Sequence, residues 1–308
     1  MTENKNLSCF FLSYTDGSPE TAEAVRSAAR LVKAGKGKLD VLTVTDPLPF
    51  KDEQARRNDI PVTEWQSLPA GLNKLAQSVL PLLAEEGLIT IPETLSFKEE
   101  TSNRYSIRLT DVNGQPLRLW VDYIGSYDAI TRLNEEADHD MVVVSASSSG
   151  LLGRLLGKDL TSQLALNLPT SLLVVKEPVH PTTPFVLCSD GSESSRRAFG
   201  ALRRLVPLLK SNIHILVNEG QDPSTLHAWL EKRKLAGNIM TMPADLEDPA
   251  GEIISMVHPG QVLVLGASMR STLAKKMHGS VPQEVIKRGT FSVLLSKELP
   301  EMSEDEKA

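Results

Sequence analysis

Two stretches of this chain carry nearly the same sequence: TDGSPETAEAVRSAARLV at residues 15–32 and SDGSESSRRAFGALRRLV at residues 189–206. Asp16 falls on Asp190 at an offset of 174 positions, and this register runs without a gap to Val44 and Asn218. A short apolar run precedes each Asp-Gly pair, which is typical of a buried strand followed by a turn. Apolar residues then recur every three or four positions, as on one face of a helix. Each stretch therefore predicts a strand, a turn and a helix, written twice.

A second register appears later in each half, where residues 145–177 match residues 266–298 position for position. Each of these segments predicts a strand, a loop, a helix and a last strand. Further helices are predicted between the two registers, in GLNKLAQSVLPLLAEEG and PSTLHAWLEKRKLAG. Strands that alternate with helices form parallel sheets covered on both faces. The predicted fold class is α/β, with two tandem doubly wound domains, each built on a five-stranded parallel sheet.

The predicted domain limits are residues 1–178 and 184–298, joined by the proline-rich segment EPVHPTTP and followed by an acidic tail at 299–308. That tail is predicted to be disordered. The second register has a shorter offset than the first, which indicates an insertion within about 47–115 of the first domain. The insertion contains a predicted hairpin with Asn113-Gly114 at its turn. Its stretch KDEQARRNDIPVTEWQ is polar and predicts a loop or lid.

The composition narrows the class of protein. The chain has 308 residues, a formal net charge of −6 and a pI near 5.6, whereas nucleic-acid-binding domains usually have a basic excess. No apolar run is long enough to span a bilayer, and the N-terminus lacks a secretory pattern. Cys9 and Cys188 lie in apolar runs, which predicts buried, inert thiols in a reducing compartment. We expect a cytoplasmic protein without nucleic-acid or membrane partners.

Ligands of open α/β sheets bind at the carboxyl ends of the strands. The Asp-Gly-Ser turns that begin at Asp16 and Asp190 lie there, as does the loop after the fourth strand of each half. In the second half, Gly266 would let the backbone approach a ligand, and Gly279-Ser280 opens a helix whose free amides suit a phosphate. The alternative is structural, because Asp-Gly-Ser is also a common turn and helix start, in which Ser18 and Ser192 would be N-caps.

These residues resemble a tandem universal stress protein, whose domains are of the adenine-nucleotide alpha-hydrolase-like type. The family pattern is an Asp after strand one and G-x2-G-x9-G-[S/T] after strand four. The resemblance implies an ATP or AMP site in the second half, although Met269 stands at the position of the second glycine. The residues implied as nucleotide-binding in the second half are Asp190, Gly266, Gly279 and Ser280. The matching first-half positions, with no motif glycine left and Asp159 at the last one, are Asp16, Ser145, Ser148 and Lys158.

Single-domain relatives in that family form homodimers through their last strands. The resemblance therefore implies that residues 171–176 and 291–297 pair within this chain, as an intramolecular pseudo-dimer.

Three functions stay open on the sequence. The first is a non-enzymatic stress-response regulator that binds an adenine nucleotide in the second half, with a protein partner that the sequence does not identify. The second is a scaffold or protein-interaction module with no nucleotide bound, and the third is a weak ATP hydrolase. No nucleophile–base pair is visible, so enzyme activity is uncertain and a non-enzymatic role is favoured.

We interpret the histidines and the remaining charged stretches as structural or solvent-exposed rather than functional. The histidines show no metal-ligand spacing, and DHD at 138–140 predicts a solvated helix end. The stretches RRLVPLLK and EKRKLAG predict solvated basic helix faces.

Overall fold

The structure is a computed structural model that describes residues 9–35, 37–45, 60–68, 70–101, 104–146, 160–243, 246–267 and 281–297. The chain divides into two compact units, Met1–Leu164 and Ala165–Ala308, which are called unit 1 and unit 2. The units divide after Leu164, whereas the predicted domain limit lies later in the chain, at the proline-rich segment 177–184. The difference arises at one strand, Ser171–Val175, whose pairing is given below with unit 2.

Unit 1 alternates strands and helices as predicted, with additional strands between them. Its strands are β1 (Phe10–Thr15), β2 (Lys38–Val44), β3 (Ile60–Pro61), β4 (Thr94–Leu95), β5 (Phe97–Thr101), β6 (Arg104–Thr110), β7 (Pro116–Asp122) and β8 (Met141–Ser145). Its helices are α1 (Pro19–Gly35), α2 (Ala70–Lys74), α3 (Leu80–Glu85), α4 (Ser126–Ala137) and α5 (Leu160–Asn167), the last of which crosses the division between the units.

The main sheet of unit 1 has the order β8-β1-β2-β7-β6-β5. Strands β8, β1, β2 and β7 are mutually parallel, and β6 and β5 continue the sheet in antiparallel pairing. Helix α1 covers β1 and β8 with a fully buried stripe that includes Val25, Ala28 and Val32. Those are the positions whose spacing predicted the helix. Taken by itself, unit 1 thus contains four of the five parallel strands predicted for the first half, and the fifth, β9, falls on the other side of the division.

The insertion is more ordered than the predicted loop or lid. Residues 60–68 form β3, which pairs with β4, and a short 3-10 helix at Val62–Ser67. Trp65 is buried in this segment, and its Nε1 donates to the carbonyl of Ile60 at 3.4 Å. A buried indole N–H needs a hydrogen-bond partner, and here the partner lies in the same segment. The polar composition of residues 51–66, on which the loop prediction rested, does not reveal such a contact. Residues 51–59 of the predicted lid lie outside the described residues.

The predicted hairpin is confirmed as β6 and β7, which pair from Arg104 with Asp122 to Thr110 with Pro116. Gly114 has a φ of +77°, as its place in the turn requires. The connection is longer than the two-residue turn typical of Asn-Gly. The Asp111 carboxylate organises it by accepting hydrogen bonds from the amides of Asn113 and Gln115, at 2.8 and 2.7 Å.

Unit 2 contains five mutually parallel strands and one strand, β9, that is antiparallel to its neighbour β14, in the order β12-β11-β10-β13-β14-β9. Its strands are β9 (Ser171–Val175), β10 (Phe185–Ser189), β11 (Ile213–Asn218), β12 (Ala236–Met242), β13 (Val262–Gly266) and β14 (Ser292–Ser296). Its helices are α6 (Glu193–Leu205), α7 (Ser224–Glu231), α8 (Pro249–Met256) and α9 (Val281–Arg288).

Strand β9 pairs antiparallel with β14, with Leu173 opposite Leu294. These are the two segments whose pairing the family resemblance implied. The pairing draws β9 into unit 2, although the sequence register assigns it to the first repeat.

Helix α7 is shorter than its sequence pattern suggested. The predicted helix runs through KRKLAG to Gly237, but the structure ends it at Glu231 and begins β12 at Ala236. Lys234 adopts the left-handed conformation, with a φ of +58°, so the chain reverses between the two elements. None of the helices in the described ranges has both the length and the apolar character needed to cross a membrane.

Candidate functional site

A cavity of about 550 Å³ lies in unit 1, where β1, β2 and β7 end. The carboxyl ends of these three parallel strands meet there, which is the usual place for a ligand in such a sheet. Residues that follow each strand line it, together with one side chain from α2. The lining residues are Tyr14, Asp16, Val44, Thr45, Lys74, Tyr123, Ile124, Gly125 and Ser126.

Asp16 is fixed at the mouth of this cavity by its own turn. Its Oδ1 accepts hydrogen bonds from the Ser18 amide at 2.9 Å and from the Thr21 hydroxyl at 2.7 Å. Gly17 has a φ of +82°, a conformation that favours glycine and bends the chain from β1 into α1. Ser18 Oγ lies 3.3 Å from the Thr21 hydroxyl at the start of α1. The turn therefore uses one oxygen of the carboxylate and holds the group in place.

The environment keeps Asp16 ionised. Partial burial acts to raise the pKa of its carboxyl, but the hydrogen bonds from Ser18 and Thr21 and the positive charge of Lys74 outweigh burial and lower the pKa below its usual value. The cavity thus presents a carboxylate and an ammonium group to the same space.

Lys74 reaches the cavity because α2 packs unusually close to the sheet. A Cβ at Gly71 would lie 2.6 Å from Val121 Cγ1 and 2.7 Å from Thr45 Cγ2, so only glycine allows this approach. One turn later, the Lys74 side chain crosses over Gly17, where an added Cβ would lie 2.6 Å from Lys74 Cδ. Within the described residues, no hydrogen bond or ion pair to the Lys74 ammonium is present.

Two tyrosines complete the wall. The Tyr14 hydroxyl lies 2.8 Å from Ser126 Oγ, which joins the end of β1 to the start of α4. Burial raises the pKa of Tyr14, the hydrogen bond to Ser126 opposes the shift, and the nearby Asp16 charge adds to it. Burial, with a smaller effect of Tyr105, also raises the pKa of Tyr123. Both phenols are therefore neutral at physiological pH, and the cavity lining combines aromatic side chains with its two charged groups.

Of the other first-half candidates, only Ser145 lies within the described residues. Ser145 ends β8 and is buried, but it is not among the residues that line the cavity. Ser148, Lys158 and Asp159 lie outside the described residues.

In unit 2, Asp190 repeats the turn of Asp16. Its Oδ1 accepts from the Ser192 amide at 2.9 Å, and Gly191 has a φ of +72°. Burial acts to raise the pKa of Asp190, but hydrogen bonds from Ser192 and Ser195 lower it below its usual value. The predicted N-cap is confirmed, since Ser192 Oγ accepts from the Ser195 amide at 3.2 Å.

The remainder of the predicted second-half site is only partly described. Gly266 ends β13 opposite Ser296 of β14, whereas Gly279, Ser280 and Met269 lie outside the described residues. The Gln221 side chain stands over Gly191, where an added Cβ would lie 2.3 Å from Gln221 Oε1. A glutamine thus occupies the place over the turn that Lys74 occupies in unit 1.

The described residues contain no cluster of three or more His, Cys, Asp or Glu side chains suited to a metal ion. Cys9 is buried as predicted, whereas Cys188 remains partly exposed at the end of β10. Desolvation, with the nearby Asp190 charge, still raises the pKa of Cys188 to about 12. The Cys188 thiol is therefore not poised for chemistry at neutral pH.

Sequence reasoning missed Lys74, Tyr123 and Ser126. One signal for two of them was present. The predicted strand LRLWV is followed by Asp122 and Tyr123 and, after Ile124, by Gly125-Ser126, so polar groups also follow the third parallel strand. Lys74 gave no such signal, because its place depends on how deeply α2 packs at Gly71.

Comparisons with solved structures support the fold. A universal stress protein from Archaeoglobus fulgidus DSM 4304 is similar at a TM-score of 0.57 and 13% identity, over 95% of this chain and 97% of that chain. A functionally unknown protein from Pseudomonas aeruginosa PAO1 is similar at 0.57 and 14% identity, over 96% of this chain and 94% of its own. A universal stress protein in complex with cAMP is similar at a TM-score of only 0.34, with 19% identity over 55% of this chain and 96% of that chain.

No curated protein sequence matches the chain. Residues 11–176, which run from β1 to the end of β9, match the universal stress protein family. This match covers more than half of the 308 residues, and the α/β architecture with its mostly parallel sheet agrees with it. The chain belongs to the universal stress protein family.

Proposed function

We propose that this chain is a non-enzymatic regulator of the stress response that binds an adenine nucleotide in the cavity of unit 1. The observation that carries the proposal is that an ionised Asp16 and the Lys74 ammonium both line one cavity of about 550 Å³ at the carboxyl ends of the strands. The sequence favoured the second half, where the family pattern is better kept. We place the site in the first half because Asp16, Lys74 and the two tyrosines there line the same cavity.

Asp16 suits the base of the nucleotide. Its Oδ1 is engaged by the turn, which leaves Oδ2 to accept a hydrogen bond. The exocyclic amine of adenine is a donor of the required kind. Tyr14, Tyr123 and Val44 offer the apolar and aromatic surface against which a purine ring would pack.

Lys74 suits the phosphate. The first half lacks the family's motif glycines, and Ser145, Ser148, Lys158 and Asp159 stand in their places. A phosphate bound in this half therefore needs donors other than the backbone that those glycines would let approach it. The ammonium of Lys74 provides a compact charge with three donors, on a side chain already directed into the cavity.

We also propose that the chain is a tandem protein made of two universal stress protein domains. The support is the repeated sequence register and the shared strand order, with β7-β2-β1-β8 in unit 1 and β12-β11-β10-β13 in unit 2. The antiparallel pairing of β9 with β14 supports an intramolecular pseudo-dimer through residues 171–176 and 291–297.

The test is calorimetric titration of the purified full chain with ATP and with AMP, with magnesium present. Asp16→Asn and Asp190→Asn form a matched pair, because each carboxylate accepts from a serine amide at 2.9 Å in the same kind of turn. We expect one site per chain. Asp16→Asn should weaken it about tenfold or more, the effect of losing a hydrogen bond to a charged group, and Lys74→Gln should weaken ATP binding similarly.

Each other result has a defined meaning. A loss of binding in Asp190→Asn, with Asp16→Asn unaffected, would return the site to the second half as the sequence predicted. An absence of binding to the wild-type chain would contradict the proposal and favour the scaffold function. Release of inorganic phosphate during the titration would favour the weak hydrolase.

A further inference from the structure

A basic and aromatic surface lies on unit 2, on the helices α6 and α7. We define the Trp229 patch as Phe199 and Arg203 of α6 with Trp229 and Arg233 at and after the end of α7. Phe199 meets the Trp229 ring edge to face, with centroids 4.8 Å apart and planes at 85°. All four side chains are partly or fully exposed. Two helices thus join their side chains into one surface.

The two arginines are held by the indole. The Arg233 guanidinium carbon lies 3.7 Å from the Trp229 ring centroid, and that of Arg203 lies 5.8 Å from it. Arg233 Nη1 also donates to the Trp229 carbonyl at 3.1 Å. Stacking on a ring occupies the face of a guanidinium and leaves most of its N–H groups, which point outward from its edge, to bind an anion.

Neither guanidinium is paired with a carboxylate anywhere in the described part of the chain. The surroundings are also basic, since Arg196, Lys232 and Lys234 are exposed nearby in sequence, and the exposed Glu231 is directed to His227 at 3.6 Å. The chain as a whole has a net charge of −6, so the charge of this surface is opposite in sign to that of the whole chain. The sequence predicted solvated basic helix faces here. The exposed Lys232 and Lys234 agree with that prediction, but the contacts of Arg203 and Arg233 with the Trp229 ring were not predicted.

We infer that the Trp229 patch is a docking surface for an acidic segment of a partner protein, rich in aspartate and glutamate. Guanidinium edges bind carboxylates in a bidentate way, and tryptophan and arginine are the residues most enriched at the energetic centres of protein interfaces. The negative charge of the whole chain favours a local acidic peptide over a long polyanion, because a nucleic acid would be repelled beyond the patch.

The test uses the full chain and a labelled dodecapeptide of alternating aspartate and glutamate, with binding followed by fluorescence anisotropy at low salt. A peptide of alternating asparagine and glutamine is the uncharged control. Incorporated fluorotryptophan reports the environment of Trp229, whose signal is identified by its loss in Trp229→Phe. We expect saturable binding of the acidic peptide only, a shift of the Trp229 signal, and weaker binding as salt rises.

The matched variants are Arg203→Gln/Arg233→Gln and Lys98→Gln/Arg108→Gln. The second pair removes the same charge from exposed side chains of β5 and β6 in unit 1. We expect about tenfold weaker binding in the first variant, as for two lost exposed charge pairs, and no change in the second. Trp229→Leu keeps both charges but removes the ring that orders them, and it should also weaken binding severalfold.

Three results would overturn the inference. They are an equal loss in both double variants, unchanged binding in Arg203→Gln/Arg233→Gln when circular dichroism shows a folded chain, and stronger competition by an oligonucleotide of the same charge than by the acidic peptide. The last would identify the surface as one for nucleic acid.

Discussion

At the scale of single residues, Asp40 lies at the centre of a buried polar cluster in unit 1. Its carboxylate accepts hydrogen bonds from Arg118 Nε and Trp120 Nε1, both at 3.1 Å, and lies 3.2 Å from His139 Nε2. His139 was predicted to be part of a solvated helix end, and that prediction is wrong. Its side chain is fully buried, and its ring lies 4.2 Å from that of Phe10. Sequence alone could not reveal this, because the contacts join residues that are far apart in the chain.

The cluster leads to a prediction about stability. Asp40→Asn keeps the shape of the side chain but removes the charge that faces Arg118 and His139, so we expect a cost of about 3 kcal/mol in the free energy of unfolding. Urea denaturation measures it. Glu85→Gln is the control, because Glu85 is 58% exposed in its pair with Arg26 and its loss should cost less than about 1 kcal/mol. Equal costs in the two variants would contradict the role given to Asp40.

The candidate site shows what the sequence could predict of single residues. Asp16 follows from local information, since an apolar run and Asp-Gly-Ser specify a strand end, a turn and a helix start. Lys74 does not, because its contribution depends on the close packing of Gly71 against Val121 and Thr45. The turn residues around Asp16 and Asp190 are so similar that sequence could not rank them by what lies above them, a lysine in one unit and a glutamine in the other.

At the scale of elements, the hairpin of β5 and β6 carries charge on its exposed positions. Glu100 of β5 accepts from the Lys98 ammonium at 2.7 Å, from the Ser106 hydroxyl at 2.8 Å and from Arg108 at 3.2 Å. Asn113-Gly114 let the sequence predict the turn of the neighbouring hairpin. The sequence did not predict β5, which adds a further strand to the sheet. Its segment FKEET has only one buried residue, Phe97, and so lacks the alternating apolar pattern of a half-buried strand.

This arrangement predicts how the edge of the sheet responds to acid. Slight burial acts to raise the pKa of Glu100, but the hydrogen bonds from Lys98, Ser106 and Arg108 outweigh it and lower the pKa to about 2. A carboxyl with a lowered folded pKa stabilises the fold above its unfolded pKa, near 4.5, and this contribution is lost as pH falls through about 2. An NMR titration of the Glu100 carboxyl should therefore have its midpoint near 2.

Variants of the residues that donate to Glu100 test the cause of this shift. Ser106→Ala removes one hydrogen bond and should move the midpoint upward toward 4.5, whereas Arg288→Gln, in unit 2, should leave it unchanged. A wild-type midpoint at the usual value for glutamate would show that the three donors do not hold the carboxylate in solution.

At the scale of the whole molecule, the repeat in the sequence and the compact units divide the chain at different places. The register and the family match both run to the end of β9, because both follow the order of residues along the chain. The compact units divide after Leu164, because hydrogen bonds and buried side chains decide which segments hold together. Strand β9 belongs to the first repeat by sequence and to unit 2 by its pairing with β14.

The last prediction uses this difference. A fragment of residues 165–308 keeps β9 beside β14, whereas a fragment of residues 179–308, cut near the predicted domain limit, leaves the β14 edge open. The shorter fragment loses the cover of Leu172 and Leu173 over Leu294 and Leu295, and the hydrogen bond from the Lys176 amide to Ser292 at 3.0 Å. Burial of each such leucine stabilises by about 1.5–3 kcal/mol, so we expect the free energy of unfolding to fall by about 3–5 kcal/mol.

Urea denaturation of the two fragments measures this difference, and light scattering should detect association of the shorter one through its unpaired edge. A fragment of residues 165–297 is the control, because it loses a similar length of chain from the acidic tail that the sequence predicts to be disordered. We expect it to unfold like the 165–308 fragment. If the 179–308 fragment were as stable and as monomeric as both, β9 would be dispensable to unit 2. The domain limit would then lie where the proline-rich segment suggested.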